Sequence, residues 1–146
     1  MYDSSLTKTT ATPLSKTRVG HTATTINGYA LIAGGYNGNN ESNYHKVVDS
    51  YNESLTMTTI TSLSVARADL ASTTLGDYAL FAGGSNPNSY NGVNTVDMYD
   101  MSLTRTVTQP LSIARMAVTA TTVGDYALFA GGLGSERHTT VDVYMV

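Results

Sequence analysis

The sequence predicts an all-β fold, and three observations support that prediction. Its 146 residues include 13 glycines and 10 tyrosines but no tryptophan and no cysteine, and this composition is typical of short strands joined by turns. Short apolar segments are separated by turn residues, and no helical periodicity is present along the chain. The third observation is that three segments of the chain share one pattern, which indicates a repeat architecture.

The repeat is clearest in an apolar segment that ends in two glycines. NGYALIAGG at 27–35 returns as GDYALFAGG at 76–84 and at 124–132, so the glycine pairs are 49 and 48 residues apart. An arginine precedes each copy, and a Val-Asp-x-Tyr segment follows it. The repeated residues are Arg18, Arg67 and Arg115; Gly34, Gly35, Gly83, Gly84, Gly131 and Gly132; and Asp49, Asp97 and Asp142.

Each repeat is expected to form four short antiparallel strands, as its second copy illustrates. The predicted strands cover residues 67–75, 78–82, 95–99 and 103–108. Gly76 and Asp77 form a tight turn, and the paired glycines that end the second strand permit positive φ or a close backbone approach. A period near 50 residues with four strands per unit predicts a β-propeller, in which blades pack face to face around a channel.

The repeat resembles the Kelch motif, best in RVGHTATTINGYALIAGG at 18–35. The shared order is an arginine, a tight turn, an apolar strand ending in Gly-Gly and a later Val-Asp-x-Tyr, and the resemblance covers the whole chain. Kelch repeats usually carry a tryptophan in the fourth strand, and this chain has none. The resemblance therefore implies a Kelch-type propeller with a thin outer strand.

The repeats divide the chain into blade 1 at 18–66, blade 2 at 67–114 and blade 3 at 115–146, which lacks its fourth strand. Residues 1–17 contain a fourth strand, 6–13, that belongs to no preceding blade. Propellers need about four to eight blades. We therefore expect two copies to join head to tail as a closed six-bladed homodimer, each lending 6–13 to the other's last blade. The rival expectation is that a different protein supplies the missing blades.

Charge and composition exclude several classes of function. The chain has eight lysines and arginines and eleven acidic residues, which gives a net charge of -3. This charge excludes a basic nucleic-acid footprint. The lack of cysteine removes thiolate nucleophiles, Cys-ligated zinc and disulfides. The sequence has no apolar run long enough to cross a membrane and no targeting signal, which predicts a soluble protein of unknown compartment.

Ligand recognition is predicted on one face, where the loops between second and third strands emerge. These loops, at 36–45, 85–94 and 133–138, differ in sequence and length while their flanks repeat, as expected of a binding surface or of unconstrained loops. They are rich in residues suited to recognition. The candidate ligand-binding residues there are Tyr36, Asn37, Tyr44, Asn86, Tyr90 and Arg137.

The three repeated arginines allow two interpretations. After closure they could form a ring of six guanidinium groups around one channel mouth and hold carboxylates, since some Kelch propellers bind acidic peptides on this face. Alternatively each arginine pairs with the repeated aspartate Asp49, Asp97 or Asp142, or with loop carbonyls.

No catalytic or metal motif is present. His21, His45 and His138 occupy unequal places in their repeats and lack a zinc-binding spacing, so no metal or cofactor is predicted. The sequence thus favours a non-enzymatic module that recognises a protein or glycan. The alternative is an engineered or excised half-propeller that only self-assembles and has no cognate ligand.

Overall fold

The computed structural model describes residues 6–38 and 40–146. Residues 1–5, which begin the predicted donor segment 1–17, and Asn39, one residue of the first variable loop, lie outside this range. The described residues form eleven β-strands and one short 3-10 turn at Glu41–Asn43. None of their helical turns is long and apolar enough to cross a membrane.

The strands form three antiparallel sheets in which sequence neighbours pair. Blade 1 contains β1 (Thr22–Ile26), β2 (Tyr29–Ala33), β3 (Val48–Tyr51) and β4 (Met57–Ile60). Blade 2 contains β5 (Ala71–Leu75), β6 (Tyr78–Ala82), β7 (Val96–Tyr99) and β8 (Arg105–Val107). Blade 3 contains β9 (Thr119–Val123), β10 (Tyr126–Ala130) and β11 (Val141–Met145).

Two strand boundaries of blade 2 differ from the sequence prediction. The first strand begins at Ala71 and not at Arg67, because Ala68 pairs with the loop residue Ser85 and Asp69 adopts a φ of 55°. The fourth strand covers only Arg105–Val107, since Leu103 has a φ of 61° and belongs to the preceding turn. A residue with positive φ leaves the extended conformation that a strand requires.

The three sheets pack face to face with their first strands adjacent. Hydroxyl groups join these strands across the blades: Thr22 Oγ1 lies 2.8 Å from Ser72 Oγ, Thr24 Oγ1 lies 2.9 Å from Thr74 Oγ1, and Thr73 Oγ1 lies 2.8 Å from Thr122 Oγ1. One hydrophobic cluster lies between each pair of neighbouring blades. β1, β5 and β9 are therefore the inner strands, and the later strands extend outward.

Residues 6–13 form no strand in the described chain, although the sequence predicts a fourth strand here. They are exposed, and no strand edge of the same chain lies beside them to supply hydrogen bonds. The chain first attaches to blade 1 at Thr12, whose carbonyl accepts a 2.6 Å hydrogen bond from Tyr51 Oη. Pairing of 6–13 with another chain stays a prediction.

Candidate functional site

Each repeated arginine lies in the interior of its blade and pairs with the repeated aspartate. In blade 2, Arg67 Nη1 lies 2.9 Å from Asp97 Oδ2, and both side chains are fully buried. The Arg67 guanidinium also donates to the carbonyls of Val65 and Phe81. Burial lowers the pKa of Arg67, and the Asp97 carboxylate opposes that effect. This geometry links the start of the blade to its second and third strands.

The same unit recurs in the other blades. Arg18 Nη2 lies 3.0 Å from Asp49 Oδ2, and Arg115 Nη1 lies 2.9 Å from Asp142 Oδ2. All three guanidinium groups are shielded from solvent. The pairing interpretation thus agrees with the structure, whereas a ring of free guanidinium groups at the channel mouth does not, because their Nη groups already donate to carboxylates and carbonyls and the side chains are closed to solvent.

A serine three residues before each arginine completes the unit, and sequence reasoning missed its role. The backbone N–H and hydroxyl of Ser15 donate to Asp49, and those of Ser64 donate to Asp97. The Ser112 backbone N–H donates to Asp142. The available signal was the spacing Ser-x-x-Arg, which all three repeats share.

The tyrosine of each Val-Asp-x-Tyr segment anchors the chain that enters the same blade. Tyr99 Oη donates to Thr61 O at 2.7 Å, and Tyr144 Oη donates to Gln109 O at 2.8 Å. Burial, with the nearby Asp142 carboxylate, raises the pKa of Tyr144 to about 12. These phenols therefore stay protonated donors, and their role is structural.

The three variable loops are fixed at their bases and emerge on one face. Tyr36 pairs with Val19, Ser85 with Ala68, and Leu133 with Met116, and each of these partners lies just before an inner strand. A second bridge narrows each loop: Tyr36 to Tyr44, Asn86 to Ser89, and Leu133 to Arg137. One scaffold position thus presents three different loops.

Two candidate tyrosines of the first loop stack on each other. The Tyr36 and Tyr44 rings are 5.3 Å apart at an interplanar angle of 19°. Burial raises the pKa of Tyr44, with further contributions from Tyr36, Asp69 and Tyr90. Tyr90, in the second loop, is 73% exposed. The Tyr44 phenol is therefore neutral and its ring is stacked on Tyr36, while the Tyr90 ring of the second loop is open to solvent.

A cleft of about 170 Å³ separates the first two loops. It is lined by Tyr44, Val65, Ala66, Asn86 and Asn88. Asn86 Nδ2 donates to Ala66 O at 3.1 Å, which holds its amide in the cleft wall. The candidate residues Tyr44 and Asn86 are thus brought together, with Tyr90 on the same loop as Asn86.

Two further candidates lie away from this cleft. Asn37 Nδ2 donates to Thr17 Oγ1 at 2.9 Å, which ties the first loop to the segment before blade 1. Arg137 is exposed in the third loop and pairs through its backbone with Leu133. The structure therefore separates the predicted ligand-binding residues into a cleft group and two outlying positions.

The histidines require a correction. His45 and His138 occupy equivalent places, because their backbone N–H groups donate to Gly35 O and Gly132 O respectively. The shorter third loop shifts His138 out of register in the sequence and hides this equivalence. Burial lowers the pKa of His45, and Arg18 and Lys16 add to that shift. Within residues 6–38 and 40–146, no three acidic or histidine side chains are grouped as metal ligands.

Comparison with known proteins agrees with this architecture. A Kelch motif matches residues 17–54, the first repeat and the one whose sequence resembles the motif best. The first repeat thus carries a Kelch motif and the chain folds as propeller blades, and the predicted resemblance to the Kelch family is confirmed.

Among the solved structures that match is the one titled "Structure of YjhT". It shares 13% sequence identity with this chain at a TM-score of 0.75, a likeness of fold alone. The match covers 88% of this chain but 43% of that structure, so this chain spans less than half of its length. No curated protein sequence matches this chain.

Proposed function

We propose that this protein is a non-enzymatic recognition module that binds a protein or glycan through its variable loops and works as a closed six-bladed homodimer. One observation carries the recognition role: three unlike loops leave the same position of a repeated scaffold. Kelch propellers are generally non-enzymatic. Here the most buried charged groups, including Arg67 and Asp97, neutralise each other inside the blades.

The cleft between the first two loops is the proposed centre of recognition. Tyr44 in the cleft wall and Tyr90, which is exposed on the same loop as Asn86, offer aromatic surface at low entropic cost, and the Asn86 amide supplies a polar contact. Aromatic rings next to amide groups suit both sugar rings and peptide backbones, which present apolar faces and hydrogen-bonding groups together.

The recognition role is tested by screening glycan and peptide arrays with the intact protein. Tyr90→Ala removes an exposed ring and is expected to weaken capture of a hit at least about tenfold without lowering stability. Met101→Ala is the matched control, because Met101 is exposed on the opposite face. Equal loss in both variants contradicts the cleft, and an empty screen favours the assembly-only alternative.

Closure is supported first by the two outer faces of the three-blade unit. Val48 of blade 1 and Val96 of blade 2 are fully buried by the next blade, whereas the equivalent Val141 of blade 3 is 48% exposed. Leu75 is 3% exposed, and its equivalent Val123 is 62% exposed. Apolar faces of this kind mark an interaction surface. Blade 3 thus presents the same face that blades 1 and 2 bury.

The paired glycines point to the same missing neighbour. A Cβ on Gly34 would lie 2.6 Å from Arg67 O, and one on Gly83 would lie 2.6 Å from Arg115 O. In each case the next blade supplies the carbonyl. A Cβ on Gly131 would meet only His138 O at 3.7 Å. The space beside Gly131 is therefore open, and the Arg18 carbonyl of a second copy would fill it.

Backbone hydrogen bonds at the two internal junctions define what the third junction would contain. Leu63 N donates to Lys46 O and Leu111 N donates to Asn94 O, both at 2.8 Å. By the repeat spacing, Leu14 N of one copy would donate to Thr139 O of the other. Residues 8–11 are likewise equivalent to β4 and to the β8 region, so they would pair with the free edge of β11 and remove an exposed strand edge.

The size of the matching structure is consistent with two copies in one ring. Since 88% of this chain aligns with 43% of that structure, the whole chain corresponds to about half of it. Two identical halves joined head to tail would cover both free faces, and the same interface would occur at each of the two junctions, as in closed symmetric oligomers.

A further inference from the structure

An apolar cleft of about 240 Å³ lies between blades 2 and 3, away from the variable loops. Blade 2 contributes Leu75, Tyr78, Leu80, Met98 and Thr108, and the end of blade 3 contributes Tyr144, Met145 and Val146. None of the proposed ligand-binding residues lines it.

The corresponding place between blades 1 and 2 is filled by a leucine. Leu103, in the turn after β7, packs there against the cluster that contains Ile26, Leu31 and Tyr99. Tyr29 and Ile60 border the same cluster. Repeat spacing equates Ile26, Tyr29, Leu31, Ile60 and Tyr99 with Leu75, Tyr78, Leu80, Thr108 and Tyr144, which line the open cleft. The two places are therefore the same site in successive junctions.

Leu6 is the repeat equivalent of Leu103. The motif Ser-Leu-Thr places Leu6, Leu55 and Leu103 at steps of 49 and 48 residues. Leu6 is 101% exposed, the largest exposure of any large apolar side chain in the described part of the chain. The molecule thus contains both an exposed leucine, Leu6, and an open apolar cleft whose equivalent at the other junction is filled by Leu103.

We propose that Leu6 of a second copy anchors the exchanged arm by filling the cleft between blades 2 and 3. This inference rests on the proposed head-to-tail closure and names the contact that secures it. Residues 8–11 of that copy would pair with β11, and Leu6, two residues earlier, would then reach blade 3 at the position that Leu103 holds in blade 2. Burial of one leucine at each junction supplies apolar contact that strand pairing alone lacks.

The test is sedimentation equilibrium of the full chain and of its Leu6→Ala variant. Two anchors are lost per dimer, so the dissociation constant is expected to rise about 100-fold, roughly tenfold for each. Leu6→Met conserves volume and is expected to stay close to the unmodified chain. The matched control is Val107→Ala, because Val107 is 56% exposed on the outer strand β8 and does not line the cleft.

A second readout reports on the cleft itself. Methyl NMR of labelled methionines is expected to shift Met98 on association but not Met101, which lies in the turn after β7 beside the internal junction with blade 1 and does not line the cleft. If the chain dimerises with an unchanged constant in Leu6→Ala and an unshifted Met98, the anchor is wrong and closure stands. If the unmodified chain stays monomeric at all concentrations, the proposed closure itself is wrong.

Discussion

At the scale of single residues, the recurrent unit is a buried arginine that pairs with an aspartate, to which a serine nearer the surface also donates. Asp97 accepts from Ser64 and Arg67, and it also pairs with Arg105 Nη1 at 3.2 Å. A carboxylate and a guanidinium tolerate burial only when each satisfies the other. The group therefore fixes the start of each blade against its third strand.

Removing the carboxylate should expose the cost of an unpaired buried charge. Asp97→Ala leaves the Arg67 guanidinium buried without its counterion, and we expect a loss of about 3–5 kcal/mol in the free energy of unfolding. Urea denaturation at one fixed protein concentration measures it. Glu136→Ala, at an exposed loop position, is the control and is expected to change stability by less than about 0.5 kcal/mol. Similar losses in both variants would contradict the structural role.

The sequence predicts this group only in part. The shared spacing of Arg67 and Asp97 in their repeats suggests a pair, but spacing alone also allows a surface ring. Burial decides between them, and burial depends on the packing of whole blades, which no local pattern contains. The serine was missed because Ser-x-x-Arg has no meaning until the third strand brings Asp97 beside it.

At the scale of strands, the sequence predicts the second strands best. The segment YALFA at 78–82 coincides with β6, because its apolar run is bounded by a turn and by two glycines. The first and fourth strands are shorter than predicted. Asp69 and Leu103 adopt positive φ although neither is glycine. Neighbouring hydrogen bonds impose this conformation, and the residue types alone do not indicate it.

The paired glycines allow a direct test of blade packing. Gly83 has a φ of 68°, and a Cβ there would lie 2.6 Å from Arg115 O of the next blade. Gly83→Val is expected to cost at least about 2 kcal/mol more than Gly124→Val. Gly124 has a φ of 54° with nothing within 4 Å of a Cβ, so its variant measures backbone strain alone. Thermal unfolding compares the two, and equal losses would refute the packing.

At the scale of the whole molecule, the described chain is three blades with two unlike free faces. Blade 3 exposes Val123 and Val141, and blade 1 exposes Leu55 on its opposite face. Repeat spacing predicts three blades, but it cannot identify what covers the free faces. The blades that the ring still needs could come from an identical chain or from a different partner. Only the residue-by-residue equivalence of junctions favours a second copy.

The inner strands offer the most direct test of closure. Thr24 faces Thr74 at 2.9 Å and Thr73 faces Thr122 at 2.8 Å across the internal junctions. Repeat spacing predicts that Thr121 of one copy faces Thr25 of the other in the same way. The chain has no cysteine of its own, so a pair of introduced cysteines reports on this contact alone.

The decisive measurement is the denatured, non-reduced mass of the Thr25→Cys/Thr121→Cys variant after mild oxidation. Head-to-tail closure predicts a covalent dimer of twice the chain mass and no higher species, since both junctions lie within one ring. Thr24→Cys/Thr74→Cys, linked within one chain, is the control and should keep the single-chain mass. A single-chain mass or a ladder of open oligomers for Thr25→Cys/Thr121→Cys would contradict the closed homodimer.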